Sequence, residues 1–493
     1  MMKKNVLIVT GLVALFVTGC GTPNAPQQPE GNVVQTPFGP ITMDGDVVAK
    51  SDIDKIYSEL AFQQACQTYM WAIPLVSFAQ WEYAQFNVMG AKSGDIVLYT
   101  GYENLIKILT ANATTPYLVS FIDMAKDGAF IVELPAGSVA GGVTDMWQQE
   151  TAVMGEMGAA KGQPAKYLLT PPEGKDADVK LPGYTPVKCH MNNTFLGLRI
   201  LDPDPAKAKE IIAQIKIYPY STRTKPAQNK VLTPPAGKDY LLGQPKGMNY
   251  WVRLHAIIQE EPVQERNMFY MAMLRNLGIE KGKPFNPTET QKKALLDGAK
   301  YGELMTQAVT FDKRFADIKH WSDRGWEYVI TMDNAAQRTG TYEELMQRTA
   351  YFYEAVTFSA AMISKTPGEG QAYLGSYTDN SGAWLDGAKS YTLHIPANPP
   401  AAHFWSVTVY DSETRCLIVN DQKNADQSSR KDVVKNADGS VDLYFSPTTP
   451  AGKEKNWVQT VPGRHWFAYL RLYGPTEPYF DKSWKMDDVM EVK

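Results

Sequence analysis

The 493-residue sequence predicts a multidomain α+β protein: two antiparallel, jelly-roll-like β-sandwich domains, N-terminal helices ahead of the first, and a helical connecting region between them. Two changes of hydrophobic period carry this prediction. Near Tyr117 helical spacing gives way to short apolar runs bounded by Gly and Pro, and a second such change follows Thr366-Pro367-Gly368. Many short strands without a helix between each pair favour antiparallel sheets.

The elements follow in order. Ser51 is placed to cap a helix carrying Ile53, Ile56, Tyr57 and Leu60, with Asp52 and Asp54 suited to its dipole. Pro74 is expected to break it, and a second amphipathic segment covers 75–86, before a short helix at 102–109. Strands are expected at 117–122, 130–134, 167–169 and within 187–200. Asp204-Pro205 pairs an N-cap acid with proline at N1 and should open a helix reaching 213. Residues 249–366 read as mostly helical, with capping-box patterns at Thr288…Gln291 and Thr341…Glu344. Strands return at 391–395, 404–410, 416–419, 441–445 and 466–473. The implied division is a leader at 1–19, a tether at 20–48, helices plus sandwich at 49–248, a connector at 249–366 and a second sandwich at 367–493.

The leader has its own chemistry. Lys3 and Lys4 precede an apolar run, Val6 to Val17, that is too short for the ~20 residues of a membrane span. It ends in Val17-Thr18-Gly19-Cys20, which resembles the lipobox of bacterial lipoproteins. That resemblance implies cleavage before Cys20 and acylation of its thiol, so the lipid bilayer becomes a partner. Acyl chains gain roughly 0.8 kcal/mol per buried CH₂, enough for two or three to hold a folded body at a membrane. Gly21, where an aspartate would resemble an inner-membrane retention signal, points to the outer membrane in a cell with two. The Pro-, Gly- and Gln-rich stretch behind it reads as an extended tether.

The chain is mildly acidic, at −4, and becomes more so once Lys3 and Lys4 leave with the leader. Without a basic patch, nucleic acid is not expected as a partner. Cys66, Cys189 and Cys416 fit no metal-ligand spacing and are expected as buried thiols. The six histidines show no helical ligand pair, although His394, His403 and His465 could meet in the second sandwich, so no cofactor is required and a divalent metal stays possible. Asp379-Asn380-Ser381-Gly382 with Asp386 looks like part of a calcium loop, but reads more simply as a solvated turn.

An ordered series of motifs runs through Gly382 to Gly387, Tyr391 to Pro396, Phe404 to Asp411, Asn420, Asp438-Gly439-Ser440, Asn456-Trp457 and Arg471-Leu472-Tyr473-Gly474-Pro475. A looser series upstream comprises Pro116-Tyr117, Glu133-Leu134-Pro135, Lys166 to Pro172 and Arg199-Ile200. Together they resemble a bacterial family joining two domains of unknown function, numbered 1254 and 1214, with the looser series matching the first and the sharper series the second. Ala159-Ala160-Lys161-Gly162 departs from a glycine-rich loop of one subgroup. The resemblance implies two sandwiches and brings no assured activity.

No Gly-x-Ser-x-Gly elbow, P-loop, His-Glu-x-x-His or Cys-x-x-Cys is present in the chain beyond the leader. The family-matching polar residues supply candidates instead. Asp411 with His403, assisted by Arg471, is the proposed catalytic set for a hydrolase of a small polar or anionic substrate: an ester, a glycan or a phosphate-bearing molecule. Trp405, Tyr410, Asn456, Trp457 and Tyr473 in the second domain, with Trp147, Lys166 and Arg199 in the first, are the candidate binding residues. Arginine offers a planar fork for carboxylate or phosphate, and aromatic faces stack on rings. Two alternatives stand beside hydrolysis: capture of a ligand without chemistry, and a structural role in the envelope. Aromatics inside strands are equally expected as core, and oligomeric state is not legible.

Overall fold

A computed structural model describes residues 32–363 and 365–492; the leader and Cys20 lie outside the described residues. The chain divides into two compact units, the first ending at Leu60 and the second running from Ala61. Part of the expected tether is folded. Val33–Thr36, Gly39–Asp44 and Val47–Val48 form an antiparallel three-stranded sheet. The proline content of the preceding stretch masked two turn signals, Thr36-Pro37-Phe38-Gly39 and Asp44-Gly45, whose glycines have φ of 103° and 65°.

The helix Ile53–Tyr83 is continuous, contrary to the expected break at Pro74. Proline removes the N–H that would bond the Met70 carbonyl; the Thr349 hydroxyl lies 3.3 Å from that carbonyl, with the Leu345 carbonyl its nearer acceptor at 2.7 Å. Between Ala65 and Glu82 nearly every side chain is buried, so the amphipathic reading of 75–86 also fails. A helix enclosed on all sides is held by its neighbours, and packing outweighs the local cost of the proline. Glycines on the helix Glu289–Phe311 permit part of that enclosure: a Cβ on Gly298 would stand 2.3 Å from the Ala65 Cβ. Gly298→Ala is therefore expected to destabilise the protein by about 1–3 kcal/mol through overpacking, despite alanine's better helix propensity. A thermal melt showing equal or higher stability would refute that close contact.

Downstream, the fold is α+β with mixed sheets. A six-stranded sheet has the order Val231–Leu232, Ile96–Tyr99, Tyr117–Asp123, Asn193–Ile200, Val139–Asp145, Glu150–Gly155. A four-stranded sheet has the order Thr185–Lys188, Ala165–Thr170, Phe130–Leu134, Lys216–Pro219. Leu118, Leu196 and Val143 of the first share an apolar core with Phe130, Val132 and Leu169 of the second. In the C-terminal region five strands run Glu327–Tyr328, Gln371–Ser376, Trp466–Pro475, Ala401–Asp411, Asp426–Ser428, and four run Trp457–Gln459, Val441–Ser446, Tyr391–Ile395, Met490–Glu491. Among the described residues three strand pairs are parallel, so the sheets are not wholly antiparallel. Residues 416–419 form only isolated bridges.

The helix Pro205–Gln214 starts as expected, with the Asp204 side chain accepting from the Ala206 N–H at 2.9 Å. Thr288 and Gln291 form the capping box of Glu289–Phe311. The matching pattern at Thr341 caps nothing: the helix is Leu345–Glu354, and Glu344, the residue the box needs, accepts the Asp333 N–H at 2.8 Å. A second large core runs from Ala65 to Val489 and joins the helices to both C-terminal sheets.

Candidate functional site

Strand alternation builds the site. Along Trp466–Pro475, Tyr469, Arg471 and Tyr473 share one face while Leu470 and Leu472 take the other. Tyr373 sits opposite Arg471 on the neighbouring strand, and Tyr117 sits opposite Arg199 in the six-stranded sheet. Arg199, Arg471, Tyr117, Tyr373, Tyr469 and Thr110 all line one cavity of ≈ 110 Å³.

Arg471 is almost fully buried; its guanidinium donates to the Tyr410 hydroxyl and, at 2.7 Å, to the Thr110 carbonyl. Tyr410 in turn donates to the Ala111 carbonyl at 2.8 Å. Arg199 keeps part of its surface open to the cavity, with its guanidinium 5.4 Å from the Tyr117 ring centre. Asn112 ties the two sides together, its backbone N–H donating to the Tyr117 hydroxyl at 2.9 Å and its side-chain amide to Tyr473.

The electrostatics are unbalanced. Among the described residues neither guanidinium has a carboxylate within 4.0 Å. Burial pushes the phenols of Tyr351, Tyr410, Tyr469 and Tyr473 above the usual tyrosine range, so these neighbours stay neutral. Glu150 is the lining acid, and its Oε2 accepts the Ala360 N–H at 2.8 Å. The Thr144 hydroxyl, also on the lining, is buried without a protein partner.

Two lining residues are strained. Thr110 has φ 36° and Thr357 φ 64°, a region that β-branched side chains avoid. Each is pinned by its neighbours: the Thr110 N–H donates to the Arg415 carbonyl at 2.8 Å, and the Thr357 N–H donates to Gln148 Oε1 at 2.7 Å. Such conformations persist where the surroundings over-determine them, often at ligand sites.

The other candidates lie elsewhere. Asp411 and His403 occupy opposite ends of the Ala401–Asp411 strand, roughly 26 Å apart at ~3.3 Å per residue. They do not form an acid/base pair. Asp411 is engaged, accepting from the Glu413 and Thr414 N–H groups and from Arg464 at 2.9 Å, while His403 is exposed. Asn456 is a structural clasp, its amide donating to the Val434 and Asp442 carbonyls. Trp457 donates to the Ser446 carbonyl at 3.0 Å, and Trp405 is buried. Trp147 packs 4.7 Å from Trp71, and Lys166 is exposed beside Glu133. Asp379 satisfies its own turn by accepting from Ser381 and Ala383. Cys66, Cys189 and Cys416 are buried, and burial pushes the thiols of the last two up to about 12.

Of the residues singled out in the sequence, the structure thus gathers Arg199, Tyr410, Arg471 and Tyr473. It adds Tyr117, Tyr373, Asn112 and the two strained threonines.

Both arginines fall inside recognisable domains. Residues 99–219 match the family described as "Protein of unknown function (DUF1254)", and residues 370–477 match "Protein of unknown function (DUF1214)". The chain carries both domains, in that order. Arg199 belongs to the DUF1254 domain and Arg471 to the DUF1214 domain, so the cavity is formed jointly. No curated protein matches the chain. The crystal structure of the VPA0106 protein from Vibrio parahaemolyticus is similar in fold, with a TM-score of 0.56 and 17% identity, over 88% of this chain and 100% of that one. An uncharacterized protein from Burkholderia cenocepacia aligns with a TM-score of 0.39 and 13% identity, over 90% of this chain and 97% of its own.

Proposed function

We propose that this protein is a lipid-anchored, extracytoplasmic receptor for a small anion, a carboxylate- or phosphate-bearing molecule held between its DUF1254 and DUF1214 domains. One observation carries the reading: two guanidiniums, one from each domain, face a shared cavity, and among the described residues neither has a carboxylate within 4.0 Å. A buried charge without a partner is costly, and an anionic ligand would supply the missing one through bidentate, charge-assisted hydrogen bonds. The size suits a ligand of few heavy atoms, since a cavity of about 150 Å³ accepts benzene. Capture is favoured over hydrolysis because the lining includes no histidine and its one carboxylate is already hydrogen-bonded. Such binding needs no cofactor.

The anchoring half of the proposal rests on the leader sequence and Cys20. The outer membrane is its proposed home. Among the described residues no helix is long and apolar enough to cross a membrane. We read each domain as a jelly-roll-like sandwich, which the core shared by the two N-terminal sheets supports.

Titrating the purified protein with inorganic phosphate, acetate and succinate tests the reading. At a hundredfold excess over Kd, a bound anion should add about 2.7 kcal/mol of stability, seen as a rise in Tm. If none of the three shifts Tm at millimolar concentration, the proposal fails.

A further inference from the structure

A second site stands apart from this cavity. Where the helix Ile53–Tyr83 ends and a π-helical turn, Ala84–Val88, begins, a pocket of ≈ 160 Å³ is lined by Glu82, Asp123, Asn193, Arg253 and Glu260 among others. Two buried acceptors in it lack partners. Glu82 is 7% exposed and its Oε1 accepts no hydrogen bond; Asn193 is 3% exposed and its Oδ1 accepts none either. The Asn193 amide cannot turn to relieve this cheaply, because its Nδ2 donates to Glu260 Oε2 at 2.9 Å.

The one base in the lining is committed elsewhere. Arg253 donates from Nε to Gln80 Oε1 at 3.1 Å and stacks 3.6 Å over the Tyr83 ring. Among the described residues it has no carboxylate within 4.0 Å. The helix end adds the negative pole of its dipole, and π-helical turns recur at functional sites. Burial first, and then neighbouring acids, holds the Glu82 carboxyl above its ordinary range, with Arg253 opposing the shift.

We infer that this pocket binds a small organic ammonium, with Glu82 Oε1, Asn193 Oδ1 and the Glu260 carboxylate accepting its N–H groups. An ammonium places three donors toward acceptors about 2.7–3.2 Å away and tolerates separated oxygens. A metal ion demands a tighter cage, and among the described residues no three His, Cys, Asp or Glu side chains are placed to hold one.

Calorimetric titration of the intact protein with butylamine, 1,4-diaminobutane and, separately, calcium chloride provides the test. Saturable binding of at least one amine is expected, weakened at least tenfold in Glu82→Gln and in Glu260→Gln. Glu260 is exposed, so its variant keeps the test valid if the Glu82 variant fails to fold. Absence of amine binding, binding by calcium alone, or undiminished affinity in the folded variants would each overturn the assignment.

Discussion

Replacing Arg199 with glutamine is expected to weaken anion binding by roughly thirtyfold or more while raising the melting temperature of the unliganded protein. Both effects follow from one imbalance. Arg199 and Arg471 line a common cavity in which burial keeps Tyr351 and Tyr469 neutral and the single acid accepts a backbone N–H. Truncating one partner of a desolvated charge pair costs about 2–5 kcal/mol, so affinity for the anion should fall from roughly thirtyfold to several thousandfold. In the empty protein the same substitution removes repulsion and restores solvation, a gain of about 1–2 kcal/mol of the kind seen when function is traded for stability. Arg471→Gln should lose binding equally but gain no stability. Its guanidinium holds the Tyr410 hydroxyl and the Thr110 carbonyl, and leaving a buried group unpaired costs about 1–3 kcal/mol. Melting both variants with and without phosphate separates these outcomes. A fall in the unliganded Tm of Arg199→Gln would show that its charge is already compensated.

Much of that site was legible in the sequence. The alternation Tyr469-x-Arg471-x-Tyr473 in an apolar run declares a charged residue facing the same way as two aromatics, which a core strand has no reason to carry. Its partner Arg199 was legible only through the family resemblance, since nothing local marks it. Thr110 and Thr357 were invisible: their left-handed backbone is imposed by Arg415 and Gln148, distant in sequence. The separation of Asp411 from His403, by contrast, could have been read directly, because eight residues in one strand cannot fold back to form a pair. The helices show where local rules stop. The box at Thr288 holds because Gln291 reaches back to the Thr288 N–H, whereas Glu344, the residue the box at Thr341 would need, accepts the Asp333 N–H instead. Pro74 was read by its intrinsic cost, which enclosure by the surrounding core outweighs.

Lys313→Met should be the most damaging substitution in the C-terminal half, costing about 3–5 kcal/mol at pH 8 and much less at pH 5. Lys313 is enclosed, donating to the Thr310 carbonyl at 2.6 Å and the Tyr377 hydroxyl at 2.8 Å. Glu354 lies 3.6 Å from its ammonium and Glu327 3.8 Å. Removing one partner of such a network strands a buried charge, which is the expensive direction. The pH dependence follows from the carboxyls. Burial pushes Glu327 up to about 7 and raises Glu354 as well, with Lys313 opposing both shifts. A carboxyl raised in the folded state binds more protons there than in the unfolded chain, so stability falls as pH climbs from the unfolded value near 4.5 through 7. Without the lysine both carboxyls rise further. At pH 5 they are protonated and the substitution leaves little uncompensated charge; at pH 8 the full penalty appears. Glu354→Gln combined with Lys313→Met should recover most of the loss, because no buried carboxylate remains at position 354 to be stranded. Melting curves of the single and double variants at the two pH values decide it, and a pH-independent loss would assign the effect of Lys313→Met to packing alone.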